Sequence, residues 1–492
     1  MIISTLLLLL PQTGDLEAAL QTARQKAENG DFQGAVSALE SANASSSRNC
    51  EALTALGVFK LRNAEVQISS GQLRGLAIND AFLDAAEVLE QASQLPGSTS
   101  VAFENWSEAL LNGGDRKNAL RAATQGVASY PKTGTIYAQR ARIHVAVAQN
   151  SSVMTTKLDG FSAAIEDLKA AVKFDKTSAI FCTKLGETLI LEAFAKEKKG
   201  DPSKARKSAA KLWASAIKRN KAAVDLSAMC QWLGSEAVPL LEKLDKSQGK
   251  DATMAWYKGF AEYSTTPANW KEVRKHFEKS LELSPGMSNS YYFLADGAFK
   301  EGRRIQDSGE DAARATKAYR YSANAWAKYL ASNGPAHSAG TLNSPDGGAA
   351  TIATMKWLAG VAVNHRDVES AIEINAWISK TTPNDVEAWN NLGVMYRDSG
   401  QAALSLPAYA KAAELSPEDP QVLNDWAVIY HYYLKTEDEK ARDLYQQAID
   451  LANSILSNQS GLSDEAKQRI RIALRDATNN LAKLKNGNRR NG

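Results

Sequence analysis

At 492 residues the chain exceeds what one compact core usually holds, so it must divide or repeat. Hydrophobic residues are 44% of it and prolines number 13, a composition that suits a water-borne helical protein. The net charge of +3 is near neutral at this length and gives no overall case for nucleic acid or an anionic membrane.

In chain order, Ile2 to Leu10 is a short apolar run ended by Pro11. It is too short to span a membrane but has the length of a signal-peptide core. No Lys or Arg precedes it, and no A-x-A-like site follows. Residues 1–14 are therefore expected to be a signal segment sending the chain to the periplasm or cell envelope. The alternative is a cytoplasmic chain whose apolar start packs on the first helices.

A small-x3-bulky-x2-small pattern then recurs. It reads Ala35, Leu39, Ala42; Ala85, Leu89, Ala92; Ala119, Ala123, Gly126; Ala164, Leu168, Ala171; and Ala209, Trp213, Ala216. Further copies are Val273, Phe277, Ser280; the looser Ser322, Trp326, Tyr329; Ala371 with Ile378; and Ala441, Tyr445, Ala448. Counted with the best copy below, they imply about ten helical pairs. Leu56-Gly57 and Leu185-Gly186 lie unusually far from their partner signatures, which predicts lengthened helices or turns over 15–221. Residues 222–251 fit no repeat and read as a helical joint before further pairs over 252–335. The Gly/Ser/Asn/Pro-rich stretch predicts a loop over 336–350. A regular array over 351–453, a capping helix over 454–485 and a disordered tail over 486–492 complete the chain.

The clearest copy is Val386 to Pro417. Trp389, Leu392, Gly393 and Tyr396 give W-x2-L-G-x2-Y, followed by Ser405, Tyr409, Ala412 and Pro417. Trp389, Leu392 and Tyr396 share one helical stripe, and Gly393 lets a second helix approach closely. Gly400 suits a helix end and Pro417 a stop, while Pro407 removes a donor early in the second helix. This pattern resembles the tetratricopeptide repeat, a 34-residue helix–turn–helix unit. The resemblance implies an all-α, right-handed superhelix acting as a protein-binding scaffold that takes a peptide or protein in its concave groove.

Chemistry for other functions is sparse. Cys50, Cys182 and Cys230 have no C-x-x-C spacing, and the five histidines have no second ligand at metal spacing. No nucleophile elbow, phosphate loop or dinucleotide fingerprint occurs. No catalytic, cofactor or metal residue is therefore named, and the chain is read as not an enzyme. A site assembled across distant repeats stays as a third reading.

Lys196 to Lys221 holds ten basic residues against Glu197 and Asp201. It reads either as a footprint for RNA or another polyanion, or as a solvated helix face backed by Leu212, Trp213 and Ile217. Trp256, Phe260 and Tyr263 face the groove if Gly259 is the close-packing glycine. They belong to the core if Trp256 and Tyr263 match Trp389 and Tyr396. Tyr292 and Phe299 accompany them as secondary candidates.

The main groove candidates lie beside the core stripe. Asn390, Val394 and Arg397 recur one 34-residue period later as Asn424, Val428 and His431, and Lys356 stands one period before Asn390. This ladder would hydrogen-bond a peptide, or is an ordinary wet helix face. Asn105 and Asn391 are isolated rungs of an asparagine ladder like that of glycosyltransferase solenoids.

Overall fold

The computed structural model describes residues 13–196, 203–342, 348–458 and 462–487; it is all-α, with no strand among them. Helices alternate as first and second members of antiparallel-type pairs, and the chain falls into two units. Unit 1 holds five pairs: α1 (Thr13–Glu28) with α2 (Phe32–Ser41), α3 (Cys50–Ser69) with α4 (Leu76–Gln94), and α5 (Ser100–Asn112) with α6 (Arg116–Ser129). These continue as α7 (Gly134–Asn150) with α8 (Met154–Phe174) and α9 (Ala179–Lys196) with α10 (Ser203–Arg219). The short α11 (Leu226–Leu233) and α12 (Val238–Leu244) follow within the expected joint, and Ser264–Thr266 also belongs to this unit.

Unit 2 pairs α13 (Ala252–Tyr263) with α14 (Trp270–Leu283), α15 (Asn289–Ser308) with α16 (Ala312–Leu342), and α17 (Gly348–Asn364) with α18 (Val368–Thr381). It goes on with α19 (Val386–Asp398) and α20 (Ala402–Leu415), then α21 (Pro420–Val428) and α22 (Asp438–Ser457), and closes on α23 (Asp464–Lys485).

The recurring pattern is the core. Leu39, Leu89, Leu168, Trp213, Phe277, Ile378 and Tyr445 are buried on seven of the second helices. The turns use one device repeatedly. Gly114 takes φ +87°, and Asp115 then caps α6 by accepting from the Asn118 amide at 3.1 Å. Asp31 and Asp367 cap α2 and α18 in the same way, each cap contributing about 1 kcal/mol.

Several expectations need correction. The loop over 336–350 is largely helix: α16 continues to Leu342 and α17 begins at Gly348, leaving only 343–347 outside the described residues. Ala-rich sequence on both sides favours helix strongly enough to offset Gly334-Pro335. Residues 454–457, assigned to the cap, finish α22 instead. Pro407 sits inside α20 without ending it. The expected signal segment lies mainly outside the described residues, as do 197–202 of the basic segment and 488–492 of the tail. No helix among the described residues is long and apolar enough to cross a membrane.

Candidate functional site

The register of each pair is fixed where a small residue on the first helix meets a bulky one on the second. A Cβ at Gly393 would lie 2.9 Å from the Tyr409 ring, at Gly259 2.9 Å from Phe277, and at Gly302 2.8 Å from Tyr319. Gly57 meets Leu89 and Gly186 meets Trp213 in the same sense. The same contact sets the register of Trp256, Phe260 and Tyr263. Gly259 is the close-packing glycine, so the three aromatics stand at the groove positions matching Asn390, Val394 and Arg397.

They do not leave a groove open. Trp256 stacks on Phe260 at 5.3 Å, and both pack against Phe293 of α15. The Tyr263 hydroxyl donates to Asp296. Tyr292 packs on Trp326 and Tyr329, and Phe299 packs on Tyr319 at 5.8 Å. Five aromatics at groove register have become filling between neighbouring helices.

The other end of the ladder is closed as well. Asn424 and His431 are buried, at 3% and 0% exposure, so they are not on a wet face. α23 packs on α21 and α22, and Asn480 donates to Asn424 at 3.2 Å while accepting from the Tyr432 hydroxyl at 3.1 Å. The helix also widens into a π turn over Ile429–Leu434, which shifts the register after Val428 and sends His431 to within 3.2 Å of the Tyr445 hydroxyl. Between these ends, Lys356 is held by Asp385 at 2.7 Å and Glu387 at 2.9 Å, which raises its pKa. Arg397 lies against Asp398. Val394 and Val428 are half-buried, and Asn390 keeps a buried side-chain oxygen without a partner among the described residues. What stays open is a recess of about 270 Å³ touching Lys356, Gly360 and Val363 of α17 and Glu387 and Asn391 of α19.

A larger opening on a first-helix face lies in unit 1. A groove of about 570 Å³ runs across α3, α5, α7 and α9. Its apolar lining is Ala138, Val145, Ile180, Phe181, Leu191 and Trp232, with Ile180 54% exposed. Glu108 stands at its centre and accepts from Arg142 at 2.7 Å and from Arg62 at 3.1 Å. Burial works against the Arg62 charge, but Glu65 and Glu108 outweigh it and raise its pKa. Lys184 pairs with Glu187 at 2.7 Å, and Glu104 accepts from Thr135. Gln139 brings a buried Nε2 amide with no hydrogen-bond partner among the described residues. Behind the groove, Asp167 is buried and takes Arg140 in a two-pronged bond of 2.6 and 2.8 Å, locking α7 to α8.

No family model matches the chain. The photosystem I assembly protein Ycf3 of Rippkaea orientalis (strain PCC 8801 / RF-1) is 30% identical over 96 residues, 20% of this chain. The chain spans about half, 48%, of that protein. Among solved structures, MamA of Desulfovibrio magneticus RS-1 is 15% identical with a TM-score of 0.29, covering 43% of this chain and 98% of that one. The C-terminal part of a TPR repeat-containing protein from Cytophaga hutchinsonii is 17% identical with a TM-score of 0.31, covering 59% and 99%. Five of the helix pairs bring a glycine of the first helix against a bulky residue of the second. The fold is all-α and built of tetratricopeptide-like helix pairs.

The tetratricopeptide period also finds the missed residues. Gln139 stands one 34-residue period after Asn105, as Arg142 does after Glu108. In the basic segment, Ala209, Trp213 and Ala216 are buried against α9, so the lysines of α10 occupy its outer side.

Proposed function

We propose that this protein of tetratricopeptide-like helix pairs is an interaction scaffold holding a peptide segment of a partner protein in the unit 1 groove. The observation that carries this reading is the Gln139 amide. Buried donors are nearly always paired, and an unmade bond costs about 1–3 kcal/mol. A peptide carbonyl laid along α5 and α7 would satisfy Nε2, while Phe181, Ile180 and Trp232 supply apolar floor. Paired charges such as Glu108 with Arg62 and Arg142 offer both donors and acceptors to a backbone. The assembly role in the name of Ycf3 belongs to that protein, and a scaffold is in line with it.

Peptides selected from a random displayed library against the full chain test the reading. Phe181→Asp should abolish their binding, and Gln139→Ala should weaken it several-fold, the worth of one neutral hydrogen bond. Peptides that bind both variants as they bind the wild type would sink it. Export rests on Ile2 to Leu10, and N-terminal sequencing of protein from its native source tests it: a retained Met1 would sink that idea.

A further inference from the structure

The second helices of unit 2 carry a separate recess. The N-terminal turns of α14 and α16 and the cap of α18 surround about 600 Å³, and α15 closes it with Glu301 and Ile305. The groove-register residues of α15, Phe299 and Gln306, do not line it, so it is not part of the first-helix face.

Four cations border this recess: Arg274, Arg314, Lys317 and Arg320. Two are already compensated. The Arg274 Nε donates to Glu278 at 2.8 Å with its guanidinium 4.3 Å from the Tyr321 ring centre, and Arg314 stands 3.7 Å from Glu310. Lys317 and Arg320 are exposed, one turn apart on α16, and have no ion pair or side-chain hydrogen bond among the described residues. Two cations without a carboxylate partner therefore stand at one mouth, while Asp367 of the same lining is bonded to Ser370 and to no cation among the described residues. The helix starts around them add positive potential.

The rest of the lining is different in kind. Asp367 accepts from the Ser370 amide and hydroxyl, Glu301 accepts from Arg304, and Asn324 points its amide nitrogen to Ser370 at 3.3 Å. Each keeps acceptor capacity for further N–H donors. Trp270 and Tyr321, edge to face at 5.8 Å, provide an apolar wall.

We propose that this recess binds an acidic peptide segment of a partner protein, its carboxylates on Lys317 and Arg320 and its backbone amides on the acceptor wall. A polyphosphate chain suits the site less. It has no donors for Asp367 and Glu301, would be repelled by both, and needs a track of cations rather than one mouth.

Fluorescence anisotropy of a labelled oligoglutamate peptide with the full chain tests this at low ionic strength. The wild type should bind it, with affinity falling as salt rises. The double variant Lys317→Glu/Arg320→Glu should lose about tenfold or more of that affinity. The variant Lys317→Arg should retain it. Lys204→Glu/Lys207→Glu on α10, an equal charge reversal at exposed lysines, should leave it unchanged, as should Phe181→Asp in the unit 1 groove. Helical circular dichroism checks that each variant is folded, which the exposure of both α16 cations favours. Equal loss in both double variants, or no binding by the wild type, would overturn the proposal. Displacement of the probe by inorganic phosphate or by oligouridylate at lower concentration than by unlabelled oligoglutamate would overturn it too.

Discussion

At Gly393 a single missing Cβ sets the distance between two helices. Any side chain there meets the Tyr409 ring, which is itself fully buried and has no room to yield. Gly393→Leu should cost about 1–3 kcal/mol or more by overpacking, read as a lowered midpoint in urea. Gly360 is the matching control. It is helical too, but a Cβ there would meet nothing within 4 Å, so Gly360→Ala should gain roughly 0.5–1 kcal/mol from helix propensity. If both substitutions destabilise alike, packing at the crossing is not what Gly393 serves.

Asp425 makes a prediction in pH. Burial pushes its carboxyl above the ordinary value, outweighing the bonds it accepts from Gln421 and Asn424 and the field of Arg397. An acid whose folded pKa is raised binds its proton more tightly when folded. Stability is therefore fully present below the unfolded value, about 4, and is lost as pH rises through the folded one. Asp425→Asn should melt higher than the wild type at neutral pH, and the gap should close near pH 4. A gap that widens on acidification would show that the charged form is the favoured one.

Among elements, the buried faces of the second helices could be read directly from sequence, because small-x3-bulky-x2-small is a local pattern within one helix. The ladder could not be read so far. Whether Asn424 is wet depends on α23, which follows some 40 residues later in sequence, and on a π turn that carries no composition signal. Register alone does not say whether Trp256 and Phe299 line a groove or fill it, since aromatics at groove positions bury themselves against whichever neighbour is near. α23 gives the test at this scale. Ala473, Ala477, Leu481 and Leu484 form its buried face against α21 and α22. Leu481→Ala should cost about 2 kcal/mol or more, and hydrogen exchange should rise in α21 to α23 while α13 to α16 stay protected. Uniform loss of protection would contradict a stack in which each pair leans only on its neighbours.

Across the molecule, unit 1 runs to Leu244 and takes in Ser264–Thr266, and unit 2 holds Asp245–Tyr263 and the chain from Pro267. Between Leu244 and Ala252 the chain turns, with Gln248 and Gly249 both at positive φ. Contacts within each unit carry the apolar burial, so each unit should unfold as its own cooperative block. Gly186→Leu drives a side chain into the buried Trp213 of unit 1, and Leu481→Ala opens a gap in unit 2. In calorimetry the wild type should show two transitions. Gly186→Leu should move only one of them, and Leu481→Ala only the other. Trypsin under native conditions should first cut at the exposed Lys246 or Lys250, releasing fragments that keep the two transitions. If both substitutions shift a single shared transition, the units are one cooperative body, and the groove of unit 1 would then be held in shape by the whole chain rather than by its own five pairs.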